Sequence, residues 1–183
     1  MVERGLNKLF WGFVFIMIGF RIQGFDILPD TVGFLLFASG FSSLSSNSDY
    51  FNKASKYNIP MIILSIFSIY QEPAHGEGVH FGVLGILSIP LVIVTVVLNL
   101  LVVYYLFMGI KDMAMKKEQS DIAFESEAKW NEYKMLQIAI LLSFIMIFLP
   151  PLAIAYIFVL FIVSIGITIR ITGFVRRCSQ RLL

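Results

Sequence analysis

Long apolar runs alternate with short polar stretches along the whole sequence, and this alternation is its main structural signal. An α-helix needs about 20 apolar residues to cross the hydrocarbon core of a membrane, and most runs approach that length. They predict six helices, at about residues 6–23, 28–44, 56–71, 81–110, 134–149 and 151–170. Residues 111–133 mix charged and apolar positions and predict a helical connector outside the membrane.

Prolines mark several of the predicted helix boundaries. Pro29 suits the first turn of the second helix, where its missing N–H leaves no helical hydrogen bond unmade. Pro90 falls inside the fourth run and predicts a kink there. The adjacent Pro150 and Pro151 divide the last apolar stretch into a fifth and a sixth helix joined by a minimal turn.

Composition and charge favour a membrane location for these helices. Hydrophobic residues make up 58% of the 183 positions and charged residues 14%, which is far from the composition of a soluble domain. With six spans, thirteen of the fourteen lysines and arginines fall on one side and only Arg21 on the other. Because basic residues concentrate in cytoplasmic segments, we expect an all-α, polytopic bundle of six transmembrane helices. It would form one domain, N-in/C-in, as a multi-pass protein of the plasma membrane.

Glycines recur seven residues apart within the first two predicted helices, as Gly12 and Gly19 and then as Gly33 and Gly40. Residues at this spacing lie on the same face of a helix. Small residues on a shared face let two helices approach closely in lipid, where association depends on van der Waals fit. A tightly packed hairpin is therefore expected, in preference to a ligand groove.

Residues 22–34, with the sequence IQGFDILPDTVGF, carry the one family resemblance. They resemble the pattern I-N-G-x-D-I-L-P-D-x-I-G-Y of uncharacterised small polytopic membrane proteins of Gram-positive bacteria. Gln23, Val32 and Phe34 depart from the pattern, each by a mild change. The resemblance covers about the first 44 residues and implies a bacterial source and a membrane architecture, without a particular activity.

Arg21, Asp26 and Asp30 are the charges near the outer end of the predicted hairpin. An arginine on the outer face needs an acidic partner, and both aspartates follow within a short turn. We expect this cluster to fix the turn between the two helices. The alternative is that one aspartate binds a cation or the amine of a lipid headgroup.

Two further places hold candidate chemistry. An outer loop carries weak candidate metal ligands, whose spacing matches no metal-binding motif: His75, His80, Glu72 and Glu77. A solvated loop is the favoured interpretation, because a metal site also needs ordered supporting groups. In the fourth helix Ser88, Thr95 and Asn99 share a face. That face predicts hydrogen bonding between helices or, alternatively, a polar patch along a substrate path.

The sequence contains no catalytic motif, so we expect neither an enzyme nor catalytic residues, and no cofactor. We expect a membrane accessory or binding protein: a subunit, a regulator, or an immunity or stress factor. A small transporter or channel for a solute, an ion or a lipid is the alternative. Pro90 and Asn99 are its only hints, because transport usually requires broken helices or polar groups near the midplane.

Three kinds of partner are expected, and nucleic acid is not one of them. The first is the lipid bilayer. The second is anionic lipid, attracted by the C-terminal arginines: Arg170, Arg176, Arg177 and Arg181. The third is a protein that binds residues 111–134, where apolar side chains lie among charges: Met113, Met115, Ile122, Phe124 and Trp130. The single cysteine, Cys178, excludes an intramolecular disulfide.

Overall fold

The computed structural model describes residues 2–17, 21–22, 25–26, 30–67, 88–146 and 150–182. This part of the chain is helical apart from one pair of two-residue strands, which agrees with the predicted all-α class. The helices are α1 Val2–Met17, α2 Asp30–Leu44, α3 Asp49–Phe67, α4 Ser88–Lys116, α5 Ser120–Met146 and α6 Pro150–Arg181. The strands are β1 Arg21–Ile22 and β2 Phe25–Asp26.

Each helix packs against the next one in the chain, and α1 closes the bundle by packing against α6. Short turns join α2 to α3 and α4 to α5, so these neighbours run antiparallel. One end of the bundle therefore holds the starts of α1, α3 and α5 and the ends of α2, α4 and α6. We call it the polar end because it carries the ion pairs described below, and we call the opposite end the apolar end.

The hydrophobic core lies in the half of the bundle toward the polar end. Buried aromatic rings from α1, α2, α4 and α6 meet there. The ring centroids of Phe13 and Phe37 are 5.1 Å apart, and those of Phe107 and Phe174 are 6.3 Å apart. Burying a Phe side chain stabilises a fold by about 1.5–3 kcal/mol. This aromatic layer therefore holds helices together that are distant in sequence.

Glycines bring the backbones of α1 and α2 into contact. A Cβ atom on Gly12 would lie 3.0 Å from the carbonyl oxygen of Gly33, and one on Gly40 would lie 3.0 Å from that of Gly5. Any larger residue would push the two helices apart. The tight hairpin predicted from the glycine spacing is thus confirmed, although Gly19 lies outside the described residues.

The α2–α3 turn is shorter than the polar sequence around it indicated, because α3 begins well before residue 56. The backbone N–H of Tyr50 lies 3.4 Å from the hydroxyl oxygen of Ser48, and that of Phe51 donates to the Ser48 carbonyl over 3.1 Å. Ser48 therefore caps the helix. Phe51 and Ala54 are buried in the core, and this burial holds a polar stretch in helical form.

Residues 111–133, predicted as a separate connector, instead continue α4 and α5. The turn at 117–119 contains Glu118 with a positive φ of 57°. From Ser120, α5 runs without interruption into the apolar segment as far as Met146. Met113 and Ile122 are buried in the core, so these stretches have one buried face and one charged face.

Two other helix boundaries also differ from those predicted. The first helix was expected at 6–23, but α1 ends at Met17, and Arg21–Ile22 forms a strand that pairs antiparallel with Phe25–Asp26. Pro90 was expected to kink the fourth helix in its interior. It lies in the first described turn of α4, and residues 81–87, where the predicted helix would precede it, lie outside the described residues.

Within the described residues, two stretches of helix are long and apolar enough to cross a membrane, Ile93–Lys116 and Leu152–Arg181. In the most apolar 18 residues of each stretch, 33% are buried in the first stretch and 6% in the second. Among the shorter helices, α2 is also apolar. The stretch in α6 therefore exposes more of its apolar surface than the stretch in α4 does.

Candidate functional site

Asn99, the amide predicted inside the fourth helix, faces a polar group on α5. The hydroxyl of the buried Tyr133 lies close to the side chains of Asn99 and Gln137. Asp30, the first residue of α2, is close enough to act on the same hydroxyl through its charge. Three helices thus place polar side chains together inside the bundle.

Asn58 of α3 adds a fourth helix to this region. Its side chain is completely buried, and its Nδ2 atom donates to the carbonyl oxygen of Phe34 on α2 over 2.8 Å. Phe34 lies one helical turn from Asp30 and Thr31. A buried donor left without a partner costs about 1–3 kcal/mol, so this hydrogen bond helps to fix α3 against α2.

Three side-chain oxygens of this region are buried without a hydrogen-bond partner among the described residues: Thr31 Oγ1, Asn58 Oδ1 and Asn99 Oδ1. An amide oxygen can only accept, and Asp30 adds a carboxylate, which accepts when ionised. The Thr31 hydroxyl can donate or accept, whereas the two amide oxygens can only accept. We call Asp30, Thr31, Asn58, Asn99, Tyr133 and Gln137 the interior polar cluster.

Helix register places Thr31 and Asn99 at similar depths in the bundle. Tyr57 of α3 stacks on Tyr105 of α4 with ring centroids 5.4 Å apart. Because α3 and α4 run antiparallel, this contact sets Asn99 level with residues 61–63 of α3. The hydrogen bond between Asn58 and α2 sets Thr31 level with the same turn. Asn58 itself lies one turn nearer the polar end.

The charge cluster predicted near the outer turn is only partly described. Arg21 and Asp26 are backbone partners in the β1–β2 ladder, so the chain reverses direction between them. Their side chains lie outside the described residues. Asp30, predicted to belong with them at the turn, is near enough to Tyr133 of the interior polar cluster for its charge to act on that hydroxyl.

The other predicted site residues contribute less. The four candidate metal ligands lie outside the described residues: His75, His80, Glu72 and Glu77. Within the described ranges, no group of three or more His, Cys, Asp or Glu could hold a metal ion. On the predicted polar face of α4, Thr95 donates to the Leu91 carbonyl of its own helix over 2.9 Å. The side chain of Ser88 is not described, so Asn99 alone is seen to reach another helix.

Ion pairs join α4, α5 and α6 at the polar end. Four of them bridge these helices in the described residues: Lys111–Glu127 at 2.6 Å, Arg170–Glu132 at 2.9 Å, Arg181–Asp121 at 2.7 Å, and Arg177–Glu125. Hydrogen bonds from the Ile122 backbone N–H and then from Arg181 hold the pKa of the Asp121 carboxyl below its ordinary value. Three of the four C-terminal arginines thus already have acidic partners within the chain, and Arg176 is exposed.

The predicted protein-binding stretch 111–134 presents fewer apolar side chains than its sequence indicated. Met113 and Ile122 are buried. Trp130 packs edge-on against Tyr104, with ring centroids 5.2 Å apart. Of the five apolar side chains predicted to bind a protein, Met115 is 62% exposed and Phe124 is 76% exposed.

Sequence reasoning missed Asn58 and Tyr133. Asn58 shares one face of α3 with the buried Phe51 and Met61, so an amide in that apolar repeat was the available signal. The sequence alone began the third helix near residue 56, so the face that Asn58 shares with Phe51 was not recognised. Tyr133 was taken for part of the connector, and only the continuation of α5 brings it beside Asn99.

No protein family, curated protein or solved structure matches this chain. The chain's own features define it as an all-helical protein. The described residues contain six helices, two stretches suited to cross a membrane, and polar side chains inside the bundle.

Proposed function

We propose that this chain is a six-span integral membrane protein that acts as an accessory or binding protein and catalyses no reaction itself. The observation that carries the proposal is the exposure of α6 toward the apolar end. Ile154 is 74% exposed and Val159, near the opposite side of the helix, is 57% exposed. Apolar surface of this extent requires cover, and either lipid or a partner helix would supply it.

Exposed apolar side chains on the other helices support six spans over two. They include Trp11 on α1, Leu35 on α2, Ile63 on α3, Ile93 on α4 and Leu142 on α5. A belt of this kind around the whole bundle suits a surrounding bilayer. Because all six helices pack side by side, a membrane that holds α4 and α6 would also contain their neighbours.

The basic residues support placement of the polar end in the cytoplasm. The start of α1, the start of α3, the α4–α5 turn and the last part of α6 carry most of them, which agrees with the excess of lysine and arginine on cytoplasmic segments. Tyr57, Tyr104, Tyr105 and Trp130 lie between these charges and the apolar end, where interfacial aromatic residues are expected. The resemblance of residues 22–34 points to a bacterial plasma membrane.

The accessory role would use the exposed side chains of Met115 and Phe124 at the polar end. They flank the α4–α5 turn among charged residues and would bind a cytoplasmic protein. Arg176, which projects from α6 beside the arginines that have acidic partners, would contact anionic lipid headgroups.

A small transporter or channel is the second candidate. The interior polar cluster favours it, because polar side chains inside a membrane bundle are typical of solute pathways. Uptake or release of a labelled solute by sealed vesicles that contain the protein would support this candidate, and partner-dependent activity without flux would support the first.

Native mass spectrometry of the protein extracted gently from its own membrane tests the accessory role. We expect a co-purifying subunit that is lost from a Phe124→Ser variant. Ala128→Ser, at an exposed position of the same helix, is the matched control and should retain the subunit. Extraction of the chain alone, at every extraction strength, would contradict the accessory role.

A further inference from the structure

A groove on the outside of the bundle lies between α4 and α5, with a volume of about 230 Å³. Four side chains of α4 and two of α5 line it: Val97, Leu100, Leu101, Tyr104, Trp130 and Lys134. The residues of α4 recur at helical spacing and so share one face of that helix. Because pockets for small molecules usually measure about 300–1,000 Å³, this groove is suited to a slender chain and not to a complete solute.

One end of the α4–α5 groove is cationic. The Nζ atom of Lys134 donates to Oδ1 of Asn131 over 3.0 Å and lies 6.0 Å from the centroid of the Trp130 ring. Both partners precede Lys134 in α5, so its side chain extends back toward the polar end. The ammonium group therefore lies near the level of Trp130 and Tyr104, whose ring centroids are 5.2 Å apart. Val97 lies about two turns further toward the apolar end.

The positive charge of Lys134 is not neutralised within the described residues, where it takes part in no ion pair. Glu127, one of the nearest acids along α5, pairs with Lys111 over 2.6 Å. Glu132 pairs with Arg170 over 2.9 Å. It also lies two residues from Lys134 and so faces a different side of the helix. The complementary partner for this end of the groove is therefore an anion.

We propose that the α4–α5 groove binds an anionic phospholipid of the cytoplasmic leaflet. Lys134 would pair with the headgroup phosphate, and the Nδ2 group of Asn131 would be a second donor to it. One acyl chain would lie along Val97 and Leu101. A lysine whose helix position lies within the bilayer extends toward the interface in this way. A zwitterionic lipid carries its own cation beside the phosphate, so it would bind less well.

The inference rests on the proposed membrane location and deepens it by naming a lipid and its site. Exposed Arg176 offers a charge without a groove beside it, so it would attract anionic lipids of any kind. The α4–α5 groove joins one charge to an apolar surface. We therefore expect a bound lipid to be held at this site in preference to its neighbours in the bilayer.

Trp130 lines the groove and can report on the lipid that occupies it, since bromine on an acyl chain quenches tryptophan fluorescence at short range. In a Trp11→Phe protein, Trp130 is the only tryptophan. This protein is reconstituted into phosphatidylcholine vesicles that contain brominated phosphatidylglycerol or brominated phosphatidylcholine at equal mole fractions. We expect Trp130 to prefer the brominated phosphatidylglycerol by about fivefold, the effect of one lysine near an anionic membrane surface. Equal quenching by the two lipids would overturn the proposal.

Variants assign the preference to the groove. Lys134→Gln should abolish it, and Lys134→Arg, which keeps the charge, should retain it. Lys53→Gln is the matched control, because Lys53 also lies over an aromatic ring, with its Nζ atom 5.4 Å from the centroid of Tyr50, but outside the groove. Val97→Phe fills the groove without a change of charge and should also reduce the preference, which tests the site even if Lys134→Gln does not fold. A full preference in either groove variant would overturn the assignment.

A Trp130→Phe protein separates this inference from the membrane location on which it rests. Its remaining tryptophan, Trp11, is 54% exposed on α1 and would report on the surrounding bilayer. We expect both brominated lipids to quench Trp11 equally. Quenching of Trp11 without a preference at Trp130, or with the same preference at both, would overturn the lipid site and leave the membrane location intact. No quenching at either position would contradict the membrane location and the lipid site together.

Discussion

The two halves of the helix bundle differ in where their apolar and polar side chains lie. Toward the polar end, Phe51, Phe107 and Phe174 are fully buried while charged side chains cover the outside. Toward the apolar end, Ile154 and Phe158 face outward, and amide and hydroxyl groups gather inside. The first half is built like a water-soluble helical bundle, and the second half is inverted.

This difference teaches where each half gains its stability. The polar half gains it from burial of apolar area, which requires water outside. In the proposed membrane the apolar half would be surrounded by lipid and could not gain stability in this way, so close helix contacts and hydrogen bonds would hold it. Matched substitutions in the two halves therefore separate the two mechanisms.

The largest difference is expected for phenylalanine. Phe107→Ala in the polar half should lower the free energy of unfolding by about 3–5 kcal/mol, because it leaves a cavity in the core. Phe158→Ala, at a position 65% exposed in the apolar half, should change it little. Unfolding in mixed micelles measures both, and equal losses would contradict the division into two halves.

A charged substitution should be unfavourable in the apolar half and tolerated at the polar end. Ile157→Lys on the exposed surface of α6 should oppose membrane insertion by about 2.5–3.5 kcal/mol, the range for a charge at the centre of a span. Phe124→Lys at the polar end should insert normally. The fraction of each variant recovered in carbonate-washed membranes measures the effect. Normal insertion of Ile157→Lys would count against a lipid-facing α6.

Glycine substitutions compare the closely packed α1–α2 hairpin with the exposed face of α6. Gly12→Ala should destabilise the protein by about 1–3 kcal/mol, since overpacking forces a backbone shift. At Gly166 a Cβ atom would meet nothing within 4 Å, so Gly166→Ala should be neutral or slightly stabilising. Unfolding in mixed micelles compares them. A larger loss at Gly166 would imply that another helix covers that face.

The smallest effect concerns the ion pair between Asp121 and Arg181 at the polar end. The folded-state pKa of Asp121 is lowered, so its contribution to stability is full above the unfolded pKa and is lost as pH falls through the folded value. Below about pH 4, the ordinary range for aspartate, the wild type should lose its small advantage over Asp121→Asn. Thermal unfolding between pH 7 and pH 3 measures this. A constant difference would show that the pair makes no net contribution.

Much of the helical pattern could be predicted from the sequence, because apolar periodicity and proline positions report local preference directly. The glycine spacing also predicted the α1–α2 contact, since it depends on one shared face. The boundaries near residues 49 and 120 could not be predicted in the same way. There, burial of Phe51 and Ile122 extends helices through sequences that are polar by composition.

The interior polar cluster was only partly foreseeable. Asn99 stood out because an amide inside an apolar run has few other uses. Asn58 lay near the start of the predicted third helix, Tyr133 lay in the predicted connector, and Asp30 was assigned to an outer turn. Only the packing of α2, α3, α4 and α5 brings these residues together, and sequence spacing does not contain that information.

Mapping the two ends of the bundle in intact cells tests the central claim most directly. In a Cys178→Ala background, single cysteines replace Ser46 and Glu118 in the turns of the polar end, and Ala74 in the segment between α3 and α4. A membrane-impermeant thiol reagent should label Ala74→Cys in intact cells and label Ser46→Cys and Glu118→Cys only after lysis. Labelling of all three positions from the same side would contradict a six-span bundle with its polar end in the cytoplasm.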